Sequence, residues 1–391
     1  MITISDLRQR QALPLREKVL MTQSRIREWY NHYDGDVYVS FSGGKDSTVL
    51  AHLVHDIYPD VPLIFSNTGL EYPEIQSFAR KMGAEFVRPK MMFSEVVSKY
   101  GYPVISKEVS ETIWYARKIH GTEGKRLRLP GKCFKEEPEE EKGQNIRREM
   151  LQGTFETKKR KQQGAQTRSM FNKEKWLPLC NETAFLIGAN CCQIMKKNPL
   201  RDYERKAKRK PIIGTLAEES RMREQSYLHS GCNAFDAKKP HSQPMSFWTE
   251  QDVLQYIRQE GLEIASVYGD IVSVDNQGFE YEPIPGLECT LKCSKCQRTG
   301  CIFCAYGAYL DKGESRFQRL AKTHPKQYEY CMRGGQWVDN PQYDPSAPKM
   351  DGEWKNWNPK KIWVPSKDGL GMKKVFDDCN AIYGKGFIRY E

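Results

Sequence analysis

No run of about 18 apolar residues exists in this chain, which excludes a hydrophobic helix across a bilayer. The N-terminus, MITISDLRQRQALPLREKV, is too charged for a secretory leader, so a cytoplasmic protein is expected. Without an export signal, the 12 cysteines point to metal ligation or redox chemistry in place of a disulfide framework, because the cytosol keeps thiols reduced. An acidic excess is missing as well. Lys and Arg number 61 against 50 Asp and Glu, and the resulting charge of +11 suits a polyanion such as nucleic acid, a nucleotide, or a merely solvated basic face. Internal repeats and low-complexity tracts are absent. What is present is ordinary globular material: 391 residues, 39% hydrophobic and 28% charged, enough for two domains or one heavily elaborated domain.

The Walker A pattern G-x-x-x-x-G-K-S/T is absent too, yet a shorter phosphate cradle stands in VYVSFSGGKDSTVLAHLV. Val37 to Phe41 has the β-branched and aromatic content of a buried strand. Thr48, Val49, Leu50, Leu53 and Val54 then recur at helical spacing. Between them, Gly43 and Gly44 let the backbone approach an anion, the new helix directs its unpaired N–H groups there, and Lys45 adds a full charge.

The loop Ser42-Gly43-Gly44-Lys45-Asp46-Ser47 resembles the pyrophosphate (PP) loop of the ATP pyrophosphatases, a group sharing its fold with sulfonucleotide (APS/PAPS) reductases and the small subunit of sulfate adenylyltransferase. The resemblance implies an α/β fold with a mostly parallel central sheet of the adenine nucleotide α-hydrolase (HUP, Rossmann-like) type. It also implies that Ser40, Ser42, Gly43, Gly44, Lys45 and Ser47 hold pyrophosphate, with Asp46 near Mg2+. Leu63 to Ser66 reads as a second buried strand, and Asn67-Thr68-Gly69 with the following Glu71 and Pro73-Glu74 looks like the family's second motif. A third strand, Pro211 to Gly214, runs into a segment whose Arg221 and Arg223 the family pattern would place by the phosphates; a solvated helix face is the plain alternative. In PMSFWTEQDV, Thr249 reads as an N-cap with Val253, Leu254 and Ile257 packing behind it. The likeness spans roughly Asp36 to Tyr268.

An intact loop favours ATP over a sulfonucleotide, which lacks a β,γ-pyrophosphate. Many reductases also end in Glu-Cys-Gly, whereas Cys379 here stands in Asp-Asp-Cys-Asn. The segment from Cys191-Cys192 to Pro199-Leu200 resembles the half-site with which iron–sulfur adenylyl-sulfate reductases hold a 4Fe-4S cluster. That likeness implies Cys191 and Cys192 with a downstream Cys-x-x-Cys, and the turn Arg298-Thr299-Gly300, similar to that of related proteins, favours Cys301 and Cys304, with Cys293 and Cys296 as the alternative. Cys293, Cys296, Cys301 and Cys304 alone would make a four-cysteine Zn2+ site, although their separation is short for a zinc ribbon. Cys289, Cys293 and Cys296 match radical-SAM spacing, but no barrel or glycine motif follows. Cys133, Cys180, Cys232, Cys331 and Cys379 read as buried or incidental thiols.

The expected organisation is an N-terminal helical segment (1–35), a nucleotide-binding domain (36–285), a Cys-rich module (286–333) and an aromatic, Lys-rich extension (334–391). A basic insertion, about 117–175, holds 17 Lys and Arg, 9 Glu and no Asp, with an acidic block at Glu136 to Glu141 and a basic run at Lys158-Lys159-Arg160-Lys161. Lys196 to Lys210 adds a second basic cluster. Ser315 to Pro325 reads as a helix packed through Phe317 and Leu320, with His324 at its end. Three functions remain open. One is an ATP pyrophosphatase that adenylylates an acceptor, coupled to sulfur transfer into tRNA or DNA from a donor such as a cysteine desulfurase, much as in the DNA phosphorothioation sulfurtransferase. The others are a sulfonucleotide reductase and a non-catalytic nucleotide- or nucleic-acid-binding redox regulator.

Overall fold

A computed structural model describes residues 2–117, 146–157, 160, 162, 164, 169–275, 277–282, 290–341, 343, 345 and 359–391. The acidic block Glu136 to Glu141, Lys158, Lys159 and Lys161 of the basic run, Cys133, Cys289 and much of the aromatic extension therefore lie outside the described residues. The chain forms two units, each from two sequence stretches: 1–90 with 193–302, and 91–192 with 303–391. Among the described residues, no helix is long and apolar enough to cross a membrane.

The first unit is built around Val37–Phe41, a strand with side chains covered on both faces, as an interior parallel strand requires. It pairs in parallel with Leu63–Ser66 on one side and Lys210–Ile213 on the other, so that Val39 faces both Leu63 and Ile212. Glu85–Val87 extends the first edge; His241–Ser242 and then Asn233–Ala234 extend the second, the last one antiparallel. The sheet thus grows one way through the chain's first three strands and the other way through the later ones. The order reverses between Val37–Phe41 and Lys210–Ile213, and the crevice beyond the carboxyl ends at such a reversal is where open α/β sheets bind ligands. This is the mostly parallel α/β sheet that the resemblance implied.

Helices cover the sheet. Lys45–His55 buries Val49, Leu50, Leu53 and Val54 at the spacing read from the sequence. Trp29, Phe41, Phe65, Ile212 and Trp248 belong to the same core. Thr249 caps the helix Glu250–Gln259 in a reciprocal box: its hydroxyl accepts from Asp252 N at 3.2 Å, and the Asp252 carboxylate accepts from Thr249 N at 2.7 Å. Val253, Leu254 and Ile257 are buried behind it, as expected. The Asp252 carboxylate also receives Lys18 Nζ at 2.7 and 2.8 Å, with the two side chains 11% and 2% exposed. That buried ion pair ties the helix Leu15–His32 to the cap. A three-stranded antiparallel sheet, Thr290–Cys293, Ile271–Val274 and Glu280–Tyr281, completes the unit.

Among its described residues the second unit has only short strand pairs, Val104–Ile105 with Ala305–Tyr306 and Gln336–Asp339 with Lys361–Val364. Its helices carry the core. Ser315 caps Arg316–Thr323, whose Phe317 and Leu320 are buried, and Phe317 meets Phe376 of the helix Met372–Tyr383 at 4.8 Å. His324 ends the helix, and Pro325 opens the next one at a position where a missing N–H costs nothing. Cys180, Cys331 and Cys379 are buried here and Cys232 is buried in the first unit, as packing residues would be.

Candidate functional site

Within the first unit, a cavity of about 360 Å³ opens at the order reversal. Ser40, Ser42, Gly44, Lys45, Asp46 and Ser47 line it from one strand end, and Ile213 to Leu216 from the neighbouring one. The loop's geometry follows from its two glycines. Gly43 has φ +70°, and a Cβ there would stand 2.8 Å from Ile75 Cγ2, so the turn tolerates no side chain. Gly44 is the N-cap of Lys45–His55 and makes no side-chain cap bond; a Cβ on it would come within 3.2 Å of the Tyr268 hydroxyl. The loop closes on itself through Ser47, whose hydroxyl accepts from Ser42 N at 3.2 Å and donates to Gly44 O at 2.9 Å. The helix start beside the cavity has no side-chain cap; Gly44 N donates to Ser42 Oγ at 3.3 Å and the Lys45 backbone N–H to the Tyr268 hydroxyl, at a helix N-terminus of the kind that binds anions.

The charges are arranged around it. Lys45, almost wholly buried, donates from Nζ to the Glu250 carboxylate and, at 3.0 Å, to Gln297 O. Glu219 pairs with Arg223 and stands 3.9 Å from Arg298. Glu250 N donates to Glu218 Oε1 at 2.5 Å. Asp46 differs from the rest: its Oδ1 is buried without a hydrogen-bond partner among the described residues. Burial pushes its carboxyl upward, Glu250 adds to that, and Lys45, Arg298 and Arg223 draw it back. Burial likewise lowers the Arg223 guanidinium, with Asp46 opposing and Arg298 reinforcing the shift. The charged lining residues are Lys45, Arg223 and Arg298 against Asp46, Glu219 and Glu250, so the lining is electrically balanced before any ligand enters.

Of the residues singled out in the sequence, Ser40, Ser42, Gly44, Lys45, Asp46, Ser47 and Arg223 line this cavity, and Gly43 shapes its turn. Arg221 does not line it; it opens the helix Arg221–Ser230 and is exposed. Asn67, Thr68 and Gly69 sit beyond the end of Leu63–Ser66 and are absent from the lining, with Thr68 Oγ1 donating to the buried Glu71 carboxylate at 2.6 Å. Sequence reasoning missed Glu219, Glu250, Tyr268, Gln297, Arg298 and Thr299 as site residues. Glu250 was visible in the Trp-Thr-Glu segment and Arg298-Thr299 in the cysteine turn, but local pattern gave each a packing or turn role.

The cysteines divide between the units. Cys293 and Cys296 are buried in the first, and the sequence position of Cys301 assigns it there too. Burial raises the Cys293 thiol, with Lys45 pulling it down and Glu250 pushing it up. Cys191, Cys192 and Cys304 belong to the second unit, as does Tyr306; burial first, and then the charge of these three thiols, push its hydroxyl upward. The Tyr306 hydroxyl donates to Gly188 O at 3.2 Å. Among the described residues, no three His, Cys, Asp or Glu side chains are grouped so as to hold one metal ion. A cubane places each ligand sulfur on a different iron, so its thiols stand farther apart than those of a single ion. In donor type Cys191, Cys192 and Cys304 match such a cluster, supplying three of the four sulfurs it takes.

The adenosine 5'-phosphosulfate reductase of Staphylococcus haemolyticus is 30% identical over 102 residues, covering 24% of this chain and 42% of that protein. The phosphoadenosine 5'-phosphosulfate reductase of Photorhabdus laumondii is 30% identical over 80 residues, covering 20% and 33%. The chain therefore spans less than half the length of either relative. Among solved structures, the phosphoadenylyl-sulfate (PAPS) reductase from Candida auris, in a phosphate complex, covers 68% of this chain and 91% of its own at 11% identity, with a TM-score of 0.32. The profile of the phosphoadenosine phosphosulfate reductase domain matches residues 36–184 and 144–306, more than half of the chain, and the protein belongs to that family.

Proposed function

We propose that this protein is an ATP pyrophosphatase that cleaves ATP between the α and β phosphates and transfers the adenylyl group to an acceptor. The observation that carries the reading is the complete loop Ser42 to Ser47, with a helix start that has no side-chain cap and Lys45 on one cavity. A sulfonucleotide has no β,γ-pyrophosphate for this loop to hold. The loop amides, Ser42, Ser47 and Lys45 take the leaving pyrophosphate, and Arg223 balances charge as the bond to the α phosphorus breaks. Because the lining is already neutral, an incoming phosphate chain needs an accompanying cation. Asp46 Oδ1, without a hydrogen-bond partner among the described residues, fits Mg2+, a hard ion that takes oxygen ligands and supplies charge neutralisation when bound. Lys45 must exchange Glu250 for phosphate, so Glu250 holds the lysine in place until substrate arrives.

The names of the relatives favour a sulfonucleotide reductase as the second reading. Against it, Cys379 is fully buried within a helix, and burial pushes its thiol up to about 12, the opposite of a sulfur nucleophile. We further propose that Cys191, Cys192 and Cys304 ligate a 4Fe-4S cluster, which would supply electron or sulfur chemistry. The acceptor is a nucleic acid, tRNA or DNA, with sulfur from a donor such as a cysteine desulfurase. The basic helix Asn198–Ala207 and its flanking lysines support a polyanionic acceptor. The test is product analysis of anaerobically purified protein offered ATP or adenylyl sulfate: AMP and pyrophosphate from ATP are expected, and sulfite from adenylyl sulfate with ATP untouched refutes the reading.

A further inference from the structure

We propose that Arg298, supplied by the cysteine turn, is a substrate-contacting residue that binds an oxyanion of the nucleotide's phosphate chain. This rests on the reading of the cavity as a nucleotide site and adds a specificity residue that neither the loop nor the Arg221/Arg223 segment provides.

Three local contacts fix the backbone that carries it. Gln297 clasps Cys293 from both sides, accepting from Cys293 N at 3.2 Å and donating to Cys293 O. Cys296 Sγ donates to the carbonyl of Arg298 itself at 2.9 Å. Thr299 Oγ1 meets the Tyr268 hydroxyl at 2.6 Å. The same turn touches the phosphate loop, since Gln297 O accepts from Lys45 Nζ. Arg298 is thus presented to the cavity by a braced turn, which leaves less ordering cost to be met when a ligand binds.

Among the described residues the guanidinium is engaged only by one long ion pair. Its nearest carboxylate is Glu219 at 3.9 Å, beyond hydrogen-bonding distance, and that carboxylate is already engaged by Arg223. Among the described residues the Arg298 side chain donates no hydrogen bond, although it lines the cavity and is 62% exposed. A planar fork of five donors at the edge of a phosphate-sized cavity suits bidentate binding of a phosphoryl or sulfuryl oxyanion. The alternative role is to offset Glu219 through space.

Isothermal titration of the full chain separates these. Inorganic pyrophosphate with Mg2+ and, separately, adenylyl sulfate are titrated into wild type, R298A, R298K, E219Q and the double variant E219Q/R298A. Thermal melts check that each variant folds, and the exposed side chain makes R298A a safe substitution. The assignment expects R298A to weaken pyrophosphate binding by about 10- to 100-fold, R298K to recover part of it, and the double variant to stay as weak as R298A. Binding by R298A within about twofold of wild type, or recovery in the double variant, overturns it. If Arg298 matters only for adenylyl sulfate, the residue's role stands and the ATP reading fails. Wild type that binds neither ligand refutes both.

Discussion

Asp46→Asn should raise stability and remove the gain in binding that Mg2+ gives the wild type. In the empty protein the Asp46 carboxylate is a cost, because Oδ1 has no hydrogen-bond partner among the described residues and burial outweighs the nearby cations. The amide keeps the shape and removes the charge. Relief of an uncompensated buried carboxylate is worth on the order of 1 kcal/mol, or a Tm rise of roughly 2–4 °C for a unit of this size. The pH dependence follows from the direction of the shift. The folded state holds the Asp46 proton more tightly than the unfolded one, so wild-type stability falls as pH rises from the ordinary aspartate value of 3.8 through the raised folded value. The variant lacks that loss. Its advantage should be absent below pH 3.8, grow across the window and stay constant above it. Binding depends on whether Mg2+ is present. A carboxylate about 6 Å from a phosphate at an effective dielectric near 20 repels it by at most about 3 kcal/mol, so in EDTA the variant should bind pyrophosphate several-fold more tightly. Adding Mg2+ should tighten wild type and leave the variant unchanged. Calorimetric melts across pH, with titrations in EDTA and in Mg2+, give the two readouts. A variant destabilised at every pH, or one that gains from Mg2+ as wild type does, refutes the reasoning.

Other outcomes follow from the same structure. Arg223→Ala should weaken pyrophosphate binding about 10-fold or more while Arg221→Ala stays within about twofold, measured by the same titration, because only Arg223 lines the cavity. Lys18→Met should destabilise the protein by about 3–5 kcal/mol in urea unfolding, since it strands the buried Asp252 carboxylate, and Lys18→Met with Asp252→Leu should recover part of that loss. Gly43→Ala should abolish pyrophosphate binding and lower the melting temperature, because φ +70° and the 2.8 Å approach to Ile75 both oppose a Cβ. Cys191→Ser or Cys304→Ser in anaerobically purified protein should remove bound iron and sulfide together with the visible absorbance of a cluster.

What could be read beforehand was whatever is decided locally. The strand Val37–Phe41, the glycine turn, the apolar stripe of Lys45–His55 and the Thr249 cap are each set by neighbours a few residues apart. Phe317, Leu320 and His324 followed from one helical turn and a proline. The site's counter-ions were not legible in this way. Glu250 reaches Lys45 across 205 positions and Gln297 across 252, so local pattern showed a helix start and a cysteine turn. Nothing in the sequence near Lys18 announces its partner Asp252, 234 residues away. Arg221 and Arg223 share one short motif, yet one faces solvent and the other the cavity, a distinction fixed by helix phase and by where Ser220 caps the helix. The order of the sheet was likewise outside local reach, since it depends on which strand Lys210–Ile213 joins.

The most direct test of the central claim is a product assay under anaerobic conditions, with ATP and adenylyl sulfate each offered with and without tRNA or DNA. Pyrophosphate and AMP released from ATP, increased by a nucleic acid and lost in Lys45→Ala, are the predicted result. Sulfite from adenylyl sulfate, with no pyrophosphate from ATP, would contradict it and make the loop a site for a sulfonucleotide.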